Sequence, residues 1–177
     1  MLDQIGQFHQ TTEEPVLKSY CLLYYGAVAD NAPQDKNTLA KLGRFLGRFL
    51  AELSDFRVKD AAGHYVHFMS HATFLAQAIH EAGGEINWEP LLAAYLRADI
   101  PFAWNEDIVL ADCLLGMVAS QDLAGLLAQL KTEGYEGAKA SNRRALWMAM
   151  KVLNERSPRH DGAGFSELLD ELIEVVR

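Results

Sequence analysis

Long apolar runs are absent from this sequence. Nothing approaches the roughly 20 residues that a bilayer crossing needs, so no membrane-spanning helix is expected. Cysteine is scarce: Cys21 and Cys113 are the two in 177 residues. Each sits inside an apolar helical pattern, and residues 1–15 carry acids and no basic leader. Both thiols are therefore expected to be reduced and buried in a cytoplasmic protein. Two isolated cysteines do not make a zinc knuckle. Positive charge is also in deficit. The 16 Lys and Arg against 24 Asp and Glu leave a net charge of −8. That speaks against nucleic acid as a main partner, because phosphate contacts need clustered cations.

Catalytic spellings are missing as well. There is no GxSxG and no glycine-rich phosphate loop. An HExxH pattern fails because Phe68 follows His67. None of the six histidines has a glutamate three residues before it, which removes the Glu-x-x-His of carboxylate di-iron bundles. His160-Asp161 repeats a dipeptide of metal phosphohydrolases, but it lies in a stretch flanked by Pro and Gly near the end of the chain. Strand-like alternation is nearly absent, and neither an internal repeat nor a low-complexity tract is visible.

What is present is helical periodicity. Thr11 or Thr12 is expected to cap a first helix that runs to about Asp30 and buries Leu17, Tyr20 and Tyr24. Asp35 or Asn37 starts a second, with Leu39, Leu42, Leu46 and Leu50 at spacings of three and four. A third is expected from Asp60 to Ala82, stopped by Gly83-Gly84. Asn87, Asn105, Ser120, Ser141 and Ser166 each mark a further start, the Ser120 helix ending at Gly134. The sequence therefore predicts an all-α fold: one domain over residues 1–177, an irregular antiparallel bundle or orthogonal array of about eight helices, with 158–164 as a linker before a C-terminal helix.

The expected third helix carries the most suggestive chemistry. At about 100° per residue, with His64 set to zero, His71 falls at about −20°, His67 at about −60° and Asp60 at about −40°. Four potential ligands share one strip. His67 and His71, four apart, have the spacing to chelate a divalent metal. Closing such a site needs further ligands, for which His9, His160, Glu106, Asp107 and Asp112 are the candidates. The competing expectation is three histidines packed along a helix–helix border, or a pH-sensing group.

Charge is distributed unevenly. From Asp60 to Asp112 there are eight acids and one base, Arg97; from Lys131 to Arg159 there are seven bases and three acids. Phe102 and Trp104 fall in a connector beside Glu106 and Asp107, an aromatic anchor in an acidic rim. Size, charge and missing catalytic spellings together predict a non-enzymatic protein-interaction domain, of inhibitor, immunity or adaptor type. Its partner is expected to have a basic surface, met by Phe102, Trp104, Glu106 and Asp107. The alternative is a helical bundle binding a metal or small ligand, of hydrolase type, centred on His64, His67, His71 and Asp60.

Overall fold

A computed structural model describes residues 2–31, 35–102, 105–129, 136–160 and 163–176. Within them the chain forms nine helices: α1 (Leu2–Thr11), α2 (Pro15–Asp30), α3 (Lys36–Glu52), α4 (Phe68–Glu81), α5 (Glu89–Arg97), α6 (Glu106–Met117), α7 (Ser120–Gln129), α8 (Gly137–Arg156) and α9 (Ala163–Val175). The only β-type pairing among the described residues is an isolated antiparallel bridge between Lys59 and Tyr65. The protein is all-α, as the periodicity predicts. No helix of the described residues is long and apolar enough to cross a membrane. The chain forms two compact units, Met1–Ala94 and Tyr95–Arg177.

In the first unit α2 packs along α4, α1 lies on α2, and α3 packs on α2 and α4. The inward face of α2 is Cys21, Leu22, Tyr25, Val28 and Ala29. A Cβ on Gly26 would stand 3.9 Å from the Ala78 Cβ, so small residues set the approach of the two helices. Ser19 pairs with His71 and Gly26 with Ala78. The pairing rises together along both helices, so α2 and α4 run parallel. Parallel neighbours need a crossover, here α3 and the 53–67 segment. As expected, Asp35 caps α3, its carboxylate accepting the N–H groups of Asn37 and Thr38 at 3.2 Å each. Leu39, Leu42, Leu46 and Leu50 are buried in one stripe. Leu53, Phe56 and Val66 anchor the crossover. Beyond α4, Gly83 takes φ 88°, a left-handed stop for which glycine is suited.

In the second unit α8 packs on α6 and α9, and α7 on α9 and α6. Leu110, Leu114, Leu146, Trp147, Met150, Leu169 and Leu172 form its interior. Two asparagines on α8 tie down connections. Asn142 accepts the Phe102 N–H at 2.9 Å and donates to the carbonyls of Ala98 and Ile100. Asn154 accepts the N–H groups of Arg159 and His160 at 3.0 and 3.1 Å.

Several boundaries differ from expectation. Residues 2–11 form a helix ahead of the first one expected. α8 starts at Gly137, a turn before the expected cap Ser141, whose hydroxyl instead donates back to the Gly137 carbonyl. α9 starts at Ala163, so Ala163 and Gly164 belong to a helix and not to the 158–164 linker. Arg159 and His160 are held by Asn154, while Asp161 lies outside the described residues, as does the expected helix stop at Gly134.

Candidate functional site

The segment predicted to open a long histidine helix is instead a tight turn. One Asp60 carboxylate oxygen accepts the N–H groups of Ala62 and His64 at 2.9 and 2.8 Å, and Gly63 takes φ 87°. The chain doubles back, so that the Val66 N–H donates to the Val58 carbonyl at 2.8 Å. His67 sits in the left-handed region at φ 49°, and α4 begins only at Phe68. This corrects the expected stripe, because His64, His67 and Asp60 are not on a helix. An aspartate that bonds its own backbone two and four residues on competes directly with helix formation.

The four stripe residues have separate roles. Asp60 and the exposed His64 meet at 3.0 Å through Oδ2 and Nδ1. Partial desolvation works against the charged Asp60, but the bonds from His64 and Ala62 outweigh it and hold the carboxyl below its ordinary range. His67 stacks flat on Tyr65, 5.0 Å between centroids with the planes 5° apart. The His71 Nδ1 lies 3.1 Å from the Ser19 carbonyl oxygen. Burial, then neighbouring His67, lowers the His71 pKa. Among the described residues no group of three or more His, Cys, Asp or Glu converges where it would hold a metal ion. Two of the ligands proposed from elsewhere, His160 and Asp112, are engaged by other groups. His160 is buried, its Nε2 3.0 Å from the Leu115 carbonyl oxygen. The Asp112 carboxylate pairs with Arg159 at 2.9 Å. His9 meets the rings of Phe45 and Phe49 edge-on, at 5.3 and 5.8 Å.

The acidic–aromatic cluster of the second unit is also turned inward. Phe102 stacks on the buried Tyr95 at 4.7 Å and is fixed through its backbone to Asn142. Glu106 is only 2% exposed, so its carboxylate is not on a rim that a partner would meet. Asp107 is half-buried, and Trp104 lies outside the described residues. Burial, followed by the nearby Asp107 and Glu106, pushes the Tyr95 phenol far above its ordinary range.

What the first unit does present is a row of rings. The Lys59 ammonium lies 4.5 Å from the Tyr65 ring centroid. Tyr65 stacks on His67, the His67 and His71 centroids are 6.1 Å apart, and Tyr20 lies 5.6 Å from His71. The row links the crossover segment, α4 and α2. Exposed Leu17, Tyr20 and Tyr24 occupy one strip of α2 at i, i+3 and i+7, with Tyr24 66% exposed, and Phe74 is exposed one turn beyond His71 on α4. Leu17, Tyr20 and Tyr24, expected to be buried, face outward instead. α2 is apolar on almost every side, so its period could not choose which face turns in. Exposed acids lie at the ends of these helices, Glu14 and Asp30 at the two ends of α2 and Glu81 at the end of α4. No family model matches this chain, and neither does any curated protein or solved structure.

Proposed function

We propose that this protein is a non-enzymatic interaction domain whose partner docks on the α2–α4 face of the first unit. The observation that carries this reading is the surface made by the Tyr65–His67–His71–Tyr20 row with Leu17, Tyr24 and Phe74. Single exposed apolar residues are ordinary; a contiguous set rimmed by polar groups marks an interaction site. Tyrosines suit the centre of such a site, because a rigid ring covers much area while its hydroxyl stays wet. The partner is a segment with an apolar face and Lys or Arg at its ends, laid along α2 so that its cations meet Glu14, Asp30 and Glu81. The expected basic partner is retained; its seat moves from Phe102–Asp107 to α2–α4.

The test is affinity capture with the full chain, paired with a Tyr20→Ala/Tyr24→Ala variant of unchanged melting temperature. A protein captured in stoichiometric amount should be lost with the variant. Its mapped segment, as a synthetic peptide, should bind in calorimetry at least about tenfold more weakly to the variant, and more weakly to the wild type at high salt. Equal binding by both chains would sink the proposal.

A further inference from the structure

A second surface of the first unit has the opposite charge. A cleft of about 600 Å³ lies between α1 and α3. Lys41, Arg44 and Arg48 line one wall at i, i+3 and i+7 of α3, within a strip about 60° wide. Gln7 and Gln10 of α1 line the other, with Asp3 at its far end. Three cations elsewhere are paired with acids: Arg57 with Asp55, Lys151 with Asp170, Arg159 with Asp112. Among the described residues none of Lys41, Arg44 and Arg48 is in an ion pair. Like charges one turn apart weaken a helix, and α3 carries three of them in a chain of net charge −8.

The cleft also has a built floor. Tyr25 is 4% exposed, yet it contributes to the lining of the cavity. That hydroxyl donates only a long bond, 3.4 Å, to the Leu2 carbonyl, so it can turn its O–H to an anion at little cost. Gly6 makes room for it: a Cβ there would stand 3.1 Å from Tyr25 Oη. The adjoining cleft, which Arg48 also borders, carries both signs, Lys18 and Arg57 against Glu13, Glu52 and Asp55. That contrast singles out the α1–α3 cleft, whose lining is two positive charges in excess.

We infer that the α1–α3 cleft binds a phosphomonoester or pyrophosphate-type dianion, held by Lys41, Arg44 and Arg48 against the amides of Gln7 and Gln10 and the hydroxyl of Tyr25. Two positive charges in excess match a group carrying about −1.5 to −2 near neutral pH. Two guanidiniums supply the paired donors that phosphoryl oxygens accept. The amides complete the shell without adding charge. The same chemistry comes in two forms, a soluble phosphorylated compound or a phosphomonoester lipid headgroup.

Calorimetry with inorganic pyrophosphate and flotation with vesicles of phosphatidylcholine containing phosphatidic acid distinguish the two. Each is run on the full chain, on Arg44→Gln/Arg48→Gln, and on Lys139→Gln/Arg156→Gln, which loses the same charge from exposed positions of the second unit. Binding of either probe should weaken at least about tenfold in the first variant and less than about twofold in the second. Tyr25→Phe keeps the ring and should weaken it about threefold. Whichever probe binds identifies the source. Binding of neither probe, or binding lost equally in both charge variants, overturns the proposal.

Discussion

His71 on α4 reaches across to α2, its Nδ1 3.1 Å from the carbonyl oxygen of Ser19. A carbonyl only accepts, so the ring must donate from that nitrogen, and its face is left to Tyr20 and His67. Replacing His71 by Ala removes both the donor and the ring contacts. Chemical denaturation should show a loss of about 1–3 kcal/mol. His71→Phe should recover part of it by restoring the ring. If His71→Ala left stability unchanged, the α2–α4 bridge would have no energetic role.

Acid should weaken the protein before any carboxylate titrates. His9 and His71 both have folded-state pKa values below the ordinary 6.5, through burial first and then through Lys18 for His9 and His67 for His71. The unfolded chain thus takes up protons that the folded chain refuses. Stability is complete above pH 6.5 and falls as the pH drops below it. Denaturation midpoints at pH 7.5 and 5.5 measure the effect. His9→Phe, placed among Phe45 and Phe49, should flatten the fall; an unchanged slope would mean that His9 does not contribute. Asp35, Asp55 and Asp60, lowered from 3.8, belong to a separate and more acidic window.

Asn142 holds residues 98–102 with one accepted and two donated bonds. Asn142→Ala should cost about 2–4 kcal/mol, because buried backbone groups lose their partners. Asn142→Asp keeps the acceptor for Phe102 but loses the donors to Ala98 and Ile100, so it should also destabilise. A cost for Asn142→Ala below about 1 kcal/mol would show that this connection is held by other groups.

Glu106 on α6 and Arg143 on α8 are both almost fully buried, and their helices pack together. Buried charges are tolerated when paired. Glu106→Gln and Arg143→Met should each destabilise by about 3 kcal/mol or more, and the double variant by less than the sum. Strict additivity in that cycle would show that the two side chains are satisfied independently.

Gly84 leaves no room for a methyl group. A Cβ there would stand 2.6 Å from Ile79 Cγ2 and 2.9 Å from the Ile79 carbonyl oxygen. Gly84→Ala should therefore cost about 1–3 kcal/mol, whereas Gly47→Ala, with nothing within 4 Å, should raise stability by removing a helical glycine. A reversal of that order in thermal melts would contradict the packing at the end of α4.

Helix content was legible because it depends on period and caps, which are local. Asp35, with its apolar stripe from Leu39 to Leu50, is the clearest case. The histidine site was misread because the period was extended back through Asp60-Ala61-Ala62-Gly63. The signal against doing so was present: an aspartate that can bond its own backbone, followed three residues later by a glycine, spells a turn. The exposed rings of α2 were not legible. Leu17 and Leu22 look alike in sequence, and which of them is buried is decided by α1, α3 and α4. The fate of Glu106 was equally hidden, since nothing local shows that a first-turn acid will be enclosed.

The parallel course of α2 and α4 has a consequence for biosynthesis. Two helices joined by a short hairpin can close as soon as the second is made. Here the Ser19–His71 pair spans 52 residues, so α2 emerges with no α4 to cover its inward face. At roughly 5–20 residues per second the interval is on the order of 3–10 s. During that time Cys21, Leu22, Tyr25 and Val28 are shielded only by α1 and later α3. The nascent chain is therefore most vulnerable to aggregation, and most accessible to chaperones, between the emergence of Asp30 and that of Glu81.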